Sequence, residues 1–206
     1  NLHLAYFKPA AGGNPEHLAR YEGNRFAIAR QIHFSAKTPD QSVDMAIFLN
    51  GLPIASIELK NHFTGQNVQD AIAQYRRRDP REAFFGRCLV HFAVDDDAAY
   101  MATRLEGKET QFLPFNRDTE NPTLYERFAS SYLWADFADA DGREEQGVLK
   151  ADSLLELIQN YLHFERDEKT GREKFIFPRF HQLRAGFRHE PGDFFLGVLA
   201  RHLLQL

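Results

Sequence analysis

The stretch that decides the fold is Ser42-Val-Asp-Met-Ala-Ile-Phe-Leu-Asn-Gly-Leu-Pro-Ile-Ala-Ser-Ile-Glu-Leu-Lys-Asn61. Two apolar runs, Val43–Leu49 and Pro53–Leu59, flank Asn50-Gly51, a strong short-range hairpin signal. Three residues sit where a buried strand avoids charge: Asp44, Glu58 and Lys60. Glu58 and Lys60 are two apart, so an extended chain points both to one face. Burying a carboxylate or an ammonium is costly unless it is paired or bound to a metal. An Asp on one strand and Glu-x-Lys on the next is the arrangement a Mg²⁺-dependent phosphodiesterase needs. The competing reading is a buried ion pair, Glu58–Lys60 with Asp44, which holds a sheet together at a high desolvation cost.

The turn then faces a strict demand. With a two-residue loop at Asn50-Gly51, Asp44 faces Ile57, and Asp44 and Glu58 project to opposite sides of the sheet. A three-residue loop, Asn50-Gly51-Leu52, brings Asp44 opposite Glu58 and makes Pro53 the first strand residue, where its missing N–H does least harm. The reading therefore requires the odd register, or a β-bulge that restores it.

Around this hairpin the 206 residues are enough for one substantial core or a domain with an appendage. The formal net charge of −4 gives no global basic field, so any nucleic-acid contact must come from a local patch or a partner. The single cysteine, Cys88, lies in an apolar run and argues against a disulfide scaffold. No signal peptide and no bilayer-length apolar run is present, so no membrane role and a cytoplasmic location are expected. The chain opens at Asn1 without Met and is expected to be a trimmed piece.

Asn14-Pro15-Glu16 reads as a helix start, ended by Gly23. Arg25–His33 is expected as a strand and Lys37–Gln41 as a turn. A helix capped by Thr64 or Gly65 should run from Gln66 to about Arg78, with Val68, Ala71, Ile72 and Tyr75 inward, closed by Asp79-Pro80. Cys88–Val94, Ala98–Arg104 and Gln111–Phe115 follow as strands, with Asp95-Asp96-Asp97 as a solvated turn. After a polar connector at Asp118–Thr123, helices are expected at Tyr125–Phe137, Ser153–Phe164 and Phe194–Leu206, with a charged hairpin-like loop at Glu165–Lys174. The order predicts a mixed sheet with helices packed on it.

Read together, these residues resemble the N-terminal portion of the R (restriction/motor) subunit of type I restriction enzymes, which carries a PD-(D/E)xK nuclease domain. The matching text includes Phe7-Lys8-Pro9-Ala10, Asn24-Arg25-Phe26, Ser42-Val43-Asp44, Phe48-Leu49-Asn50-Gly51-Leu52-Pro53 and Glu58-Leu59-Lys60-Asn61. It continues through Gln74-Tyr75-Arg76, Arg87-Cys88-Leu89-Val90-His91-Phe92, Phe112-Leu113-Pro114-Phe115-Asn116 and Tyr132-Leu133-Trp134 to Phe177-Pro178-Arg179-Phe180, which resembles text leading into the family's motor domain. The resemblance covers roughly residues 1–183, in order. It implies an α/β fold: a restriction-endonuclease-like mixed β-sheet flanked by helices (1–120), then a mostly helical C-terminal extension (121–206) toward a motor domain. Two departures stand out. The family's Gln-x-x-x-Tyr element meets Tyr75 but has Ala71 in the Gln place, with Gln69 and Gln74 out of register. No Gly-x-x-x-x-Gly-Lys-Ser/Thr loop occurs, so ATP belongs only to a full-length subunit.

By this resemblance Asp44, Glu58 and Lys60 are the catalytic residues. Asp44, Glu58 and the Leu59 carbonyl would ligate Mg²⁺, and Lys60, held by the two acids, would act on the attacking water. If a second ion binds, Glu16 or Glu22 on the first helix is the candidate extra ligand, with Gln74 and Tyr75 as further candidate accessories. Arg76, Arg77 and Arg78 would contact DNA phosphates, or else form an ordinary solvated helix end. His33, His62 and His91 read as structural or surface residues. The expected partners are double-stranded DNA and the methyltransferase and specificity subunits of the restriction complex. A second reading is a non-catalytic nuclease-like module that docks those subunits; a third, a free-standing repair nuclease, is disfavoured by the acidic charge.

Overall fold

The computed structural model describes residues 4–10, 13–115, 133, 137–138, 144–145, 148–166 and 173–178. Helix α1 (Pro15–Glu22) starts where the sequence places it: Asn14 accepts from the Glu16 N–H, Pro15 opens the helix and Gly23 closes it. Strands β1 (Phe26–His33), β2 (Ser42–Leu49) and β3 (Leu52–Leu59) form an antiparallel meander. A 3₁₀ turn at His62–Thr64 leads to helices α2 (Val68–Arg77) and α3 (Ala83–Arg87), which carry the chain to β4 (Val90–Val94), parallel to β3. Strands β5 (Ala99–Ala102) and β6 (Leu113–Pro114) complete a six-stranded mixed sheet whose spatial order follows the chain. Beyond it lie a small pair, β7 (Phe137–Ala138) with β8 (Glu144–Glu145), helix α4 (Ala151–Glu156) and the hairpin of β9 (His163–Arg166) with β10 (Glu173–Ile176).

Strand β3 is buried without a break from Pro53 to Glu58, as expected for a strand covered on both faces. On one face Ile57, Phe92, Met101 and Phe115 pack with Leu154, Leu157, Tyr161 and Phe177, so residues near the C-terminal end join the sheet's own core. On the other face α2 and α3 set Val68, Ala71, Ile72, Tyr75 and Phe85 against Ala93. The polar residues of the two central strands point to this second face. Ser56 Oγ lies 2.8 Å from the Tyr75 hydroxyl and 2.7 Å from His91 Nδ1. Burial lowers the His91 pKa to about 3, so that ring is held neutral.

Several expectations are corrected. Helix α2 is capped by Asn67, not by Thr64 or Gly65: Asn67 accepts from Gln69 N while Asp70 accepts from Asn67 N, and this reciprocal box outcompetes the earlier start. Cys88 ends α3 rather than entering β4. The Ser153–Phe164 helix begins at Ala151 and finishes in a π turn at Leu157–Tyr161, because His163 and Phe164 are drawn into pairing with β10. The acidic turn is not uniformly solvated. Asp95 is buried; its Oδ1 accepts from Asp97 and Ala98 N–H and its Oδ2 from the first α2 amide, at Val68. The expected helices at Tyr125–Phe137 (but for Leu133 and for Phe137, which is in β7) and Phe194–Leu206 and the connector at Asp118–Thr123 lie outside the described residues.

Candidate active site

The hairpin meets both sides of the register problem at once. Asn50 and Gly51 both have positive φ, 51° and 85°, the signature of a two-residue type I′ turn. Near the turn the pairs are therefore Leu49↔Leu52 and Phe48↔Pro53; beyond an irregularity at Ile47/Phe48 they become Ile47↔Ala55, Ala46↔Ser56 and Met45↔Ile57. Ile54 is the extra residue of a bulge, and its insertion changes the parity of everything after it. One residue further along, Asp44 stands across from Glu58.

The two carboxyl groups meet there. Asp44 is half-buried and Glu58 fully buried, and the two carboxyl groups are close enough for Asp44 to act on the ionisation of Glu58. Each of the four oxygens also accepts from the protein. Asp44 Oδ1 takes Gln31 Nε2 at 3.2 Å and Oδ2 takes the Leu59 N–H at 2.8 Å. Glu58 Oε1 takes Arg78 Nη2 at 2.9 Å and Oε2 takes Gln74 Nε2 at 3.0 Å. Burial raises the Glu58 pKa to about 7 against the lowering pull of Arg78, with the neighbouring Asp44 charge adding to the rise.

Lys60 is half-buried at the end of β3, with its N–H on the Val94 carbonyl at 2.8 Å. Among the described residues its ammonium forms no ion pair with either acid; Arg78 takes that place on Glu58. This corrects the expectation that Lys60 is held by the two carboxylates. It also corrects the reading of Arg78 as a phosphate contact. Arg78 is buried, donates to Gln41 Oε1 and the Ser42 carbonyl as well as to Glu58, and lies 5.0 Å from the Phe34 ring centroid. Arg76 and Arg77 stay exposed, with Arg76 reaching the Thr110 carbonyl. Tyr75 is buried against Phe85 and Phe112 and bonds Ser56, not the acids. Glu16 ion-pairs with Arg20 on its own helix, and the bonds that tie the end of α1 run through Asn24 to Asn50, at the turn end of the hairpin. No bond among the described residues joins Glu16 or Glu22 to the carboxylate pair.

Two members of the cluster escape a sequence reading. Gln31 interrupts β1 with a φ of 51°, a left-handed conformation that costs a non-glycine residue on the order of 1 kcal/mol, and Ser42 Oγ donates to its Oε1 so that its amide nitrogen faces Asp44. Arg78 was visible only as the last of three arginines. One signal was available: Ala71, Gln74 and Arg78 fall on a single helical stripe at spacings of three and four. Gln74, one turn on from Ala71, reaches Glu58.

Residues 12–110 match the family model described as the type I restriction enzyme R protein N terminus. This stretch belongs to that family. It is also 30% identical, over 168 residues, to a protein of Methanocaldococcus jannaschii whose name assigns it as the MjaVIIIP endonuclease subunit of a type I restriction enzyme. That alignment covers 80% of this chain and 14% of the archaeal protein, so the chain spans a small part of its relative's length. Among the described residues no helix is long and apolar enough to cross a membrane.

Proposed function

We propose that this region is the nuclease module of a type I restriction R subunit, hydrolysing DNA phosphodiesters with the help of Mg²⁺. One observation carries the reading: a bulged hairpin turns Asp44 and Glu58 toward each other on one face, one of them buried, with every oxygen oriented by a donor. Two converging hard carboxylates fit a divalent cation, with the Leu59 carbonyl and waters as further ligands. When bound, Mg²⁺ would offset charge developing on the phosphate and activate water. Gln31 and Gln74 hold the two carboxylates in place. Arg78 anchors Glu58 from the protein side, leaving the Lys60 ammonium free to meet the charge that develops on the phosphoryl oxygens. Arg76 and Arg77 supply exposed positive charge for the DNA backbone. The remainder of the subunit and the methyltransferase and specificity subunits supply recognition and translocation, so this chain alone is expected to cut DNA slowly or not at all.

The buried Arg78–Glu58 pair favours a second reading, a docking module in which the acids are structural. Calorimetric titration with Mg²⁺ or Mn²⁺ decides between them. The nuclease reading expects saturable uptake that Asp44→Asn abolishes in a folded protein; equal heats in wild type and variant would leave the docking module.

A further inference from the structure

The residue three positions beyond Lys60, Phe63, has no role in the cluster, yet its side chain is 98% exposed. Isolated surface apolar residues are ordinary, but this one is presented on a built turn. Asn61 Oδ1 accepts from Thr64 N and Thr64 Oγ1 donates to the Asn61 carbonyl. The Gly65 N–H closes the turn on His62 O, with Gly65 at φ 71°. His62 is moored in turn, its ring nitrogens 3.5 and 3.4 Å from Asp95 and Asp97. The backbone that carries Phe63 is thus fixed by its own hydrogen bonds, with the ring held out in solvent.

The surroundings select its partner. Residues 61 to 67 are all exposed, and all but Phe63 are polar or glycine. A protein interface of any strength surrounds an aromatic anchor with further apolar area; a lone ring in a polar collar matches a nucleobase, which has a π face and a hydrogen-bonding rim. Three residues from Lys60 reach at most about 10 Å, roughly three nucleotide steps along one strand. We propose that Phe63 is a stacking platform for an unpaired DNA base next to the scissile phosphate, an inference that rests on the nuclease reading above.

The test uses the full chain with Ca²⁺ in place of Mg²⁺ and two fluorescein-labelled oligonucleotides: a fully paired duplex and the same duplex with a short unpaired gap. Binding is followed by anisotropy for wild type, Phe63→Ala and Phe63→Trp. Loss of one base-stacking contact predicts about a tenfold weaker Kd of Phe63→Ala for the gapped DNA, little change for the paired duplex, and near wild-type binding by Phe63→Trp. All three proteins should melt together, since the side chain is exposed. If wild type binds and Phe63→Ala binds gapped DNA equally well, the stacking role is overturned and the nuclease reading stands. If wild type binds neither DNA, the stacking role is overturned, and the nuclease reading is decided by the metal titration above.

Discussion

Glu58→Gln, followed by thermal unfolding at pH 8 and pH 5 with and without Mg²⁺, separates a ligand carboxylate from a structural ion-pair partner. In the folded protein the Glu58 carboxyl is raised from 4.5 to about 7, chiefly by burial. At about 1.4 kcal/mol per pH unit, keeping the group ionised costs the fold about 3 kcal/mol. The sign follows from the direction. A folded pKa above the unfolded one contributes stability that is full below about 4.5 and is lost as pH rises through about 7. Glutamine imitates the protonated acid: its carbonyl still accepts from Arg78, its amide donates toward Asp44, and a flip of the Gln74 amide restores that bond. Arg78 keeps Gln41, the Ser42 carbonyl and the Phe34 ring. The variant is therefore expected to be more stable than wild type by about 2–3 kcal/mol at pH 8, roughly 4–12 °C in Tm for a chain of this size. At pH 5 wild-type Glu58 is already protonated in the fold, and the gap should shrink to under about 1 kcal/mol. Mg²⁺ at ten times its dissociation constant should add about 1.4 kcal/mol to wild type and nothing to the variant. A variant less stable than wild type at pH 8, by the same margin with and without Mg²⁺, would refute the reasoning and make Glu58 the ionised partner of Arg78.

Arg78→Ala should cost about 3–5 kcal/mol by leaving a buried carboxylate unpaired, and much less in the Glu58→Gln background; equal losses in urea unfolding would deny the coupling. Asp95→Ala removes the acceptor of the first α2 amide and of the turn into β5, so a loss of about 1–2 kcal/mol is expected, with faster hydrogen exchange at Val68. His91, held neutral by burial with a pKa near 3, contributes stability that is present above its ordinary 6.5 and lost as pH falls from there toward 3; chemical denaturation of Glu58→Gln across that range should show this acid loss without the opposing carboxyl. Lys60→Ala should leave Tm within about 2 °C, since a half-buried side chain without an ion pair carries little stability, yet remove cleavage from a full-length restriction complex.

The parts of the fold that local chemistry decides were legible in the sequence. Asn14-Pro15 and Gly23 bound α1 as read, and Asn50-Gly51 sets the hairpin. The alternative of a three-residue loop or a bulge was resolved by the bulge: Asn-Gly keeps its preferred turn, and the parity is changed at Ile54, where burial on both faces leaves no alternation to betray the shift. What was hidden is long-range. Locally only the stripe it shares with Ala71 and Gln74 distinguishes Arg78 from Arg76 and Arg77; its burial is decided by Phe34, Gln41 and Ser42, which arrive from the β1–β2 connection and the start of β2. Gln31 likewise has meaning only across the strand from Asp44. Asp95 looked like one of three solvated acids because the amide it caps lies 27 residues away in the chain.

The arrangement of donors argues for what the cluster is kept for. A carboxylate oxygen has two acceptor sites, and here each of the four oxygens receives one protein donor, from Gln31, Leu59, Arg78 and Gln74. One site per oxygen is thereby left over, and the two acids face each other across it; burial first, and the neighbouring Asp44 charge after it, push the Glu58 proton affinity up. A cluster selected for stability alone would place a second cation there, and Lys60 is near enough in the chain to have been that cation. Instead Glu58 is anchored from behind by Arg78, Gln31 is bent into a left-handed conformation to reach Asp44, and the ammonium is left out of the pair. Strain and buried like charge at one spot, each avoidable by a single substitution, are what the nuclease reading proposed above expects of a site that receives a cation from outside.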